Sequence, residues 1–132
     1  MVSPVHPSVA VDGIVLQGRK LVMVRRRNEP HRGMLALPGG FVELGETTPE
    51  AVVREVREET GLETRVQRLV GVFSDPRRDP RGHVISIVYA LEAIGGRLKA
   101  GSDAAAVVRV DPAAVPPLAF DHNEIIRVWR GL

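Results

Sequence analysis

With 132 residues, 44% of them hydrophobic and 26% charged, the chain has the make-up of one globular domain burying about two-thirds of its unfolded surface. A net charge of +2, dispersed basic residues and only 4% aromatics leave no nucleic-acid footprint, and no apolar run reaches membrane-spanning length. With no cysteine there is neither a disulfide framework nor thiolate chemistry, and the polar, Pro-punctuated stretch 1–7 is unlike a secretory signal, so cytoplasmic residence is expected.

Residues 1–132 read as a single domain, without internal repeat, low-complexity segment or linker. Val9 to Leu16 is apolar-rich and interrupted by Asp12-Gly13, which predicts a strand with a bend or bulge. Gln17-Gly18 turns into a second strand, Lys20 to Arg26, and the two form a hairpin. The run from Arg25 to Arg32 follows. Its arginine forks suit phosphate or carboxylate, so one or two of them, with Arg27 as the named candidate, would reach the substrate, and most of the run reads as a solvated loop. Met34 to Leu37 is a short strand delivering Pro38-Gly39-Gly40.

Gly45 breaks the chain again before a helix predicted from Pro49 to Thr60. Thr48 is placed as its N-cap, Pro49 in the first turn where a missing N–H costs nothing, and Gly61 at the left-handed C-terminal position. At 100° per residue, Glu55, Glu58 and Glu59 share one arc, while Val52, Val53 and Val56 make a face for packing on a sheet. Three neighbouring carboxylates repel one another. Either Arg54 and Arg57 relieve a solvated acidic face, or a hard divalent cation such as magnesium sits among them and also holds a phosphate-bearing substrate. Spacing alone leaves both open.

Gly40, five residues, Glu46, seven residues, then Arg54-Glu55-Val56-Arg57-Glu58-Glu59-Thr60-Gly61-Leu62 resembles the Nudix box at every specified position. The resemblance implies an α/β/α sandwich with a mixed β-sheet, the box helix and a C-terminal helix. It implies hydrolysis of nucleoside diphosphates linked to another moiety, with Mg²⁺ or Mn²⁺. Carried over, Glu55, Glu58 and Glu59 would be metal ligands, joined by the Gly40 carbonyl, and one box glutamate, Glu58 or Glu59, would serve as base. Arg54 would pair with Glu46 and hold the loop against the helix. Many members are dimers, so a homodimer is the assembly the resemblance suggests.

Beyond the box, Arg65 to Ser74 reads as a strand, and Ser74 to His83 as a turn-rich loop carrying Arg77, Arg78 and Arg81. That loop is either a solvated hairpin tip or a substrate clamp. Its S-D-P-x-R-D-P-R-G-H pattern is similar to a segment of the ADP-ribose pyrophosphatase branch, which implies the clamp, with those three arginines on phosphate or terminal ribose. His83 reads as structural.

Val84 to Leu91 is a strand, Gly95-Gly96 and Ala100-Gly101 punctuate a loop, and Val107 to Val110 is a short strand. Asp103 is either an exposed loop residue or the further acid that Nudix sites often draw from this region. Val115 to Phe120 has little regular structure. Asp121 is placed as cap of a last helix, with Glu124 as capping-box partner and Ile125, Val128 and Trp129 packed inward; His122 packs or caps. Leu118 to His122 also resembles the end of ADP-ribose-type chains.

The expected activity is thus ADP-ribose hydrolysis to AMP and ribose 5-phosphate, a small-molecule reaction needing neither nucleic acid nor membrane. The alternatives are a sanitiser of modified nucleoside triphosphates and a non-catalytic ligand sensor. The known sensors join a DNA-binding winged helix, for which the chain after Phe120 is too short.

Overall fold

The computed structural model of the chain describes residues 5–132, so the first part of the Pro-punctuated start lies outside the described residues. The strands are β1 (Ser8–Gln17), β2 (Lys20–Arg26), β3 (Leu35–Ala36), β4 (Gly39–Phe41), β5 (Leu62–Phe73), β6 (Val84–Gly96) and β7 (Ala104–Val110). The helices are α1 (Thr48–Thr60) and α2 (His122–Arg130). The sheet runs β3-β2-β1-β6-β5, with β4 added on β1 and β7 on β2. It is mixed, because β1 pairs β6 in parallel and β2 and β4 antiparallel.

Period-two alternation explains the layers. Val11 and Val15 of β1, with Val22 of β2, face Ala51, Val52 and Val56 of α1. Ile14, Leu21 and Met23 face the other way, onto Leu118, Ile125 and Ile126 at α2. The α/β/α sandwich is therefore observed, with a core on each side of the sheet. Burying each α1 valine contributes about 1.5–2 kcal/mol, against roughly 0.2–0.5 kcal/mol lost per like-charged i,i+4 pair. Packing wins, and the acidic helix holds. Among the described residues no helix is long and apolar enough to cross a membrane.

Several local expectations need correction. β1 has no bulge: its register with β6 runs unbroken through Asp12↔Val88 and Gly13↔Tyr89. The N-cap of α1 is Thr47, not Thr48. Its hydroxyl accepts from Glu50 N at 3.3 Å while the Glu50 carboxylate accepts from Thr47 N at 2.9 Å, a complete capping box. The Thr48 hydroxyl instead bonds the Tyr89 hydroxyl at 2.6 Å. Strand β6 continues through Gly95 and Gly96, because β5 starts right after the helix and pairs Leu62↔Gly96.

At α2, Asp121 makes no side-chain cap bond, since its carboxylate is held by Arg78; Glu124 pairs with Arg127 instead of closing a capping box. Ile126 rather than Val128 is buried beside Ile125.

Gly61 ends α1 at φ 79° and donates to the Arg57 carbonyl, and a Cβ there would collide with the Arg97 carbonyl oxygen. Gly61→Ala should therefore cost about 2 kcal/mol or more and lower the thermal midpoint by roughly 5–10 °C. A melt with an unchanged midpoint would contradict this account of the helix end.

Candidate active site

The site lies where Pro38-Gly39-Gly40 crosses the C-terminal half of α1. The Gly39 N–H donates to Glu59 Oε1 at 3.3 Å. A Cβ on Gly40 would lie 2.5 Å from the Glu55 carboxylate, so only glycine lets the strand come this close. Arg54 fixes the neighbouring loop. Its Nε and Nη2 donate to Glu46 at 2.6 and 2.9 Å, its Nη1 to Glu55 at 2.7 Å and Glu58 at 3.1 Å, and its Nη2 also to the Phe41 carbonyl at 3.1 Å. The Arg54 bonds hold the Glu46 carboxyl down to about 2.

Glu55 and Glu59 line one cavity of about 320 Å³, within the range of small-molecule sites. Burial raises the Glu59 carboxyl to about 8, and the adjacent Glu55, Asp12 and Asp103 charges push the same way. Burial also raises Glu55, against the pull of Arg54. Glu58 is turned outward to Arg54, its side chain 55% exposed, and does not line the cavity. Among the described residues no three His, Asp or Glu groups converge as a ready-made metal cluster. The donors present nevertheless suit a hard cation, since all are oxygen. Glu59, driven up first by burial and then by neighbouring carboxylates, has no cation within ion-pair distance among the described residues, with Arg26 acting on it from farther off.

The far side of the sheet braces this wall. His122 Nδ1 accepts from Leu37 N at 3.0 Å, so in the neutral ring the proton sits on Nε2, 3.9 Å from Asp12 Oδ1. Burial lowers the His122 pKa and keeps it neutral. Asp12 also accepts from the Ser86 hydroxyl. His122 thus holds the segment leading into Gly39.

The predicted arginines part company. Arg81 lines the cavity, its Nε and Nη2 on Asp79 at 3.1 and 2.8 Å. Arg78 borders the cavity but is a brace: it grips Asp121 at 2.9 and 2.7 Å and is only 5% exposed. Arg77 lies out in solvent on Asp75, beside a separate surface groove. Arg27 is not among the lining residues either and donates to the Ala104 carbonyl at 3.3 Å.

Arg26 lines the cavity instead, and the strand alternation of Val22, Val24 and Arg26 was the signal that could have found it. Asp103 is exposed yet borders the same cavity. His83 bonds the Ser74 carbonyl at 3.0 Å across its loop. Phe120 and Asp79 also line the cavity; both lie in segments that resemble the ADP-ribose pyrophosphatase branch, but their residue types alone do not single them out.

The NUDIX domain family model matches residues 6–129. The chain belongs to the Nudix family. The ADP-ribose pyrophosphatase of Methanocaldococcus jannaschii is 58% identical over 122 residues, covering 92% of this chain and 72% of that protein. The bifunctional NMN adenylyltransferase/ADP ribose pyrophosphatase of Francisella tularensis, solved with AMP and a Mn ion, superposes at TM-score 0.83 with 28% identity. That match covers 96% of this chain and 42% of the Francisella chain. The NUDIX domain of Shewanella oneidensis NrtR, solved with ADP ribose, gives a TM-score of 0.84 at 25% identity, covering 96% of this chain and 88% of that one. The protein is accordingly a Nudix pyrophosphohydrolase of the same α/β/α architecture.

The Glu59 environment makes stability depend on pH. Between the ordinary value of 4.5 and about 8, the folded protein keeps a proton on Glu59 that the unfolded chain releases. Metal-free stability therefore falls as pH rises through that window. In chelator, the thermal midpoint should drop by several degrees from pH 5 to pH 8, and Glu59→Gln should flatten the slope. Parallel wild-type and variant profiles would show that Glu59 does not titrate this way.

Proposed function

We propose that this Nudix pyrophosphohydrolase hydrolyses the diphosphate linkage of ADP-ribose to AMP and ribose 5-phosphate, with Mg²⁺ or Mn²⁺. The observation that carries the reading is one cavity joining two chemistries: the carboxylates Glu55, Glu59 and Asp103, and the guanidiniums of Arg26 and Arg81. A diphosphate ester needs both, a cation site for its oxygens and fixed positive charge for the remaining anion. The 58% identity to the Methanocaldococcus ADP-ribose pyrophosphatase supports this substrate over other nucleotides.

Glu55 and Glu59 would hold the cation together with the Gly40 carbonyl, and Glu58 would join them by turning from Arg54 toward the cavity. When bound, the cation supplies an acidified water and neutralises charge on the phosphates. Glu59, or Glu58 once turned inward, would take the proton from the water that attacks phosphorus, a step worth about 10²–10⁴-fold. The P–O bond of the anhydride breaks, and the departing phosphate keeps its electron pair. Arg54 keeps Glu46, Glu55 and the loop carbonyl of Phe41 in register with the attack geometry. The buried floor around Asp12 and His122 fixes the glycine strand that Glu59 leans on.

Glu58→Gln or Glu59→Gln should leave the fold intact and cut ADP-ribose turnover by at least ~100-fold. Full turnover in both variants would refute the site. Arg81→Ala should raise KM for ADP-ribose about tenfold while solvent-exposed Arg77→Ala leaves it unchanged. A panel of ADP-ribose, NADH, dinucleoside polyphosphates and oxidised dGTP with Mg²⁺ should place ADP-ribose first in kcat/KM. First rank for oxidised dGTP would overturn the substrate assignment.

A further inference from the structure

His31 and Phe120 are the non-glycine residues with positive φ among those described, at 61° and 54°. Such backbone persists only where its surroundings hold it, and it clusters at functional sites. Here the two residues hold each other, their rings meeting edge to face with centroids 4.8 Å apart. The Phe120 ring, thus fixed, carries two guanidiniums. Arg26 Cζ lies 4.9 Å and Arg81 Cζ 5.6 Å from its centroid, inside the range of cation–π attraction.

The two cations differ in what answers them. Arg81 is matched by Asp79, with two bonds at 3.1 and 2.8 Å. The hydrogen bond made by the Arg26 side chain is Nε to the Pro30 carbonyl at 2.7 Å, and among the described residues no carboxylate comes within ion-pair distance of it, Glu59, Asp79 and Asp12 acting from farther off. Its Nη groups are left to the cavity it lines with Glu55 and Glu59. Burial and the neighbouring Arg81 charge lower its pKa, against the pull of Glu59, Asp79 and Asp12, so the ring holds a pair of like charges in a partly dry place. An oxyanion with two or more acceptors answers that arrangement, since a guanidinium offers paired donors in a plane.

We propose that Arg26, seconded by Arg81, receives a phosphate oxygen of the substrate, and that Phe120 is the positioning residue that holds the two guanidiniums for it. The proposal rests on the pyrophosphohydrolase reading for its ligand class, a nucleoside diphosphate derivative. It does not depend on which sugar or group lies beyond the second phosphate. Strain at Phe120 acquires a purpose: a ring set by left-handed backbone and pinned by His31 cannot swing away and let the two cations separate.

The test compares Arg26→Gln, Arg26→Lys, Phe120→Leu and Phe120→Tyr, each checked for folding by circular dichroism and melting. Calorimetric titration with α,β-methylene-ADP, whose linkage cannot be hydrolysed, is set beside titration with uncharged adenosine, and KM and kcat are read for ADP-ribose. Arg26→Gln should weaken α,β-methylene-ADP about tenfold or more while changing adenosine little, as loss of a charged hydrogen bond requires. KM should rise by a similar factor with kcat nearly kept.

Arg26→Lys should recover part of the loss. Phe120→Leu should raise KM severalfold, and Phe120→Tyr, which keeps an aromatic face for the guanidiniums, should recover most of that loss. Unchanged affinity in folded Arg26→Gln and Arg26→Lys would overturn the proposal, as would equal losses for adenosine and the diphosphate. A wild type that binds α,β-methylene-ADP through Arg26 yet leaves ADP-ribose intact would defeat the substrate reading alone. Normal ADP-ribose kinetics in the Arg26 variants would defeat this proposal alone.

Discussion

Arg54 is the piece on which the site depends. One guanidinium reaches Glu46, Glu55, Glu58 and the Phe41 carbonyl, so it ties the loop after β4 to the middle of α1. Its side chain is only 15% exposed, and the carboxylates around it are partly sheltered too. Removing it would leave several negative groups facing one another with less water to screen them, a far larger penalty than a surface ion pair carries. The glycine strand, the box helix and the acidic wall keep their mutual distances because this contact keeps its own.

Around that anchor the fold separates duties by layer. The α1 side of the sheet carries the carboxylates, while the α2 side supplies the neutral His122 and buried Asp12 that steady the strand opposite. The loop between β5 and β6 is tied down by Arg78 on Asp121, which leaves Arg81 at the cavity and Arg77 in solvent. Three arginines within five positions thus have three different fates, decided by which carboxylate lies within reach.

Much of this was legible from residue order alone, for physical reasons that can be named. The box helix was readable because its stop signal, Gly61, and its valine face are local properties, and β2 was readable because Leu21-Val22-Met23-Val24 is bounded by charge and turn. The start of α1 was misplaced by one residue although the information was present: Thr47 with Glu50 satisfies the Thr-x-x-Glu pattern, and Thr48 with Ala51 does not.

Other features were beyond reach. Asp121 looks like a helix cap until Arg78, far away in the chain, claims its carboxylate. Arg27 and Arg26 are alike by residue type, and the alternation through Val22 and Val24 separates them only once β2 is known to end at Arg26. Phe120 lies in a segment of recognisable pattern, but its positive φ and its contact with His31 have no counterpart in residue order.

Strand β5 ends the sheet, and its pairing with β6 shifts register at three places, between Glu63 and Thr64, Val66 and Arg68, and Leu69 and Gly71. A twelve-residue outer strand with Leu69 and Val72 half exposed would otherwise be a flat template for stray chains to add to. Each irregularity twists the ladder and breaks the even row of amides and carbonyls, and Arg65 and Arg68 place charge along the same stretch. The protein thereby keeps a long, sticky margin while denying other strands a straight line to zip along, a safeguard against aggregation written into the edge itself.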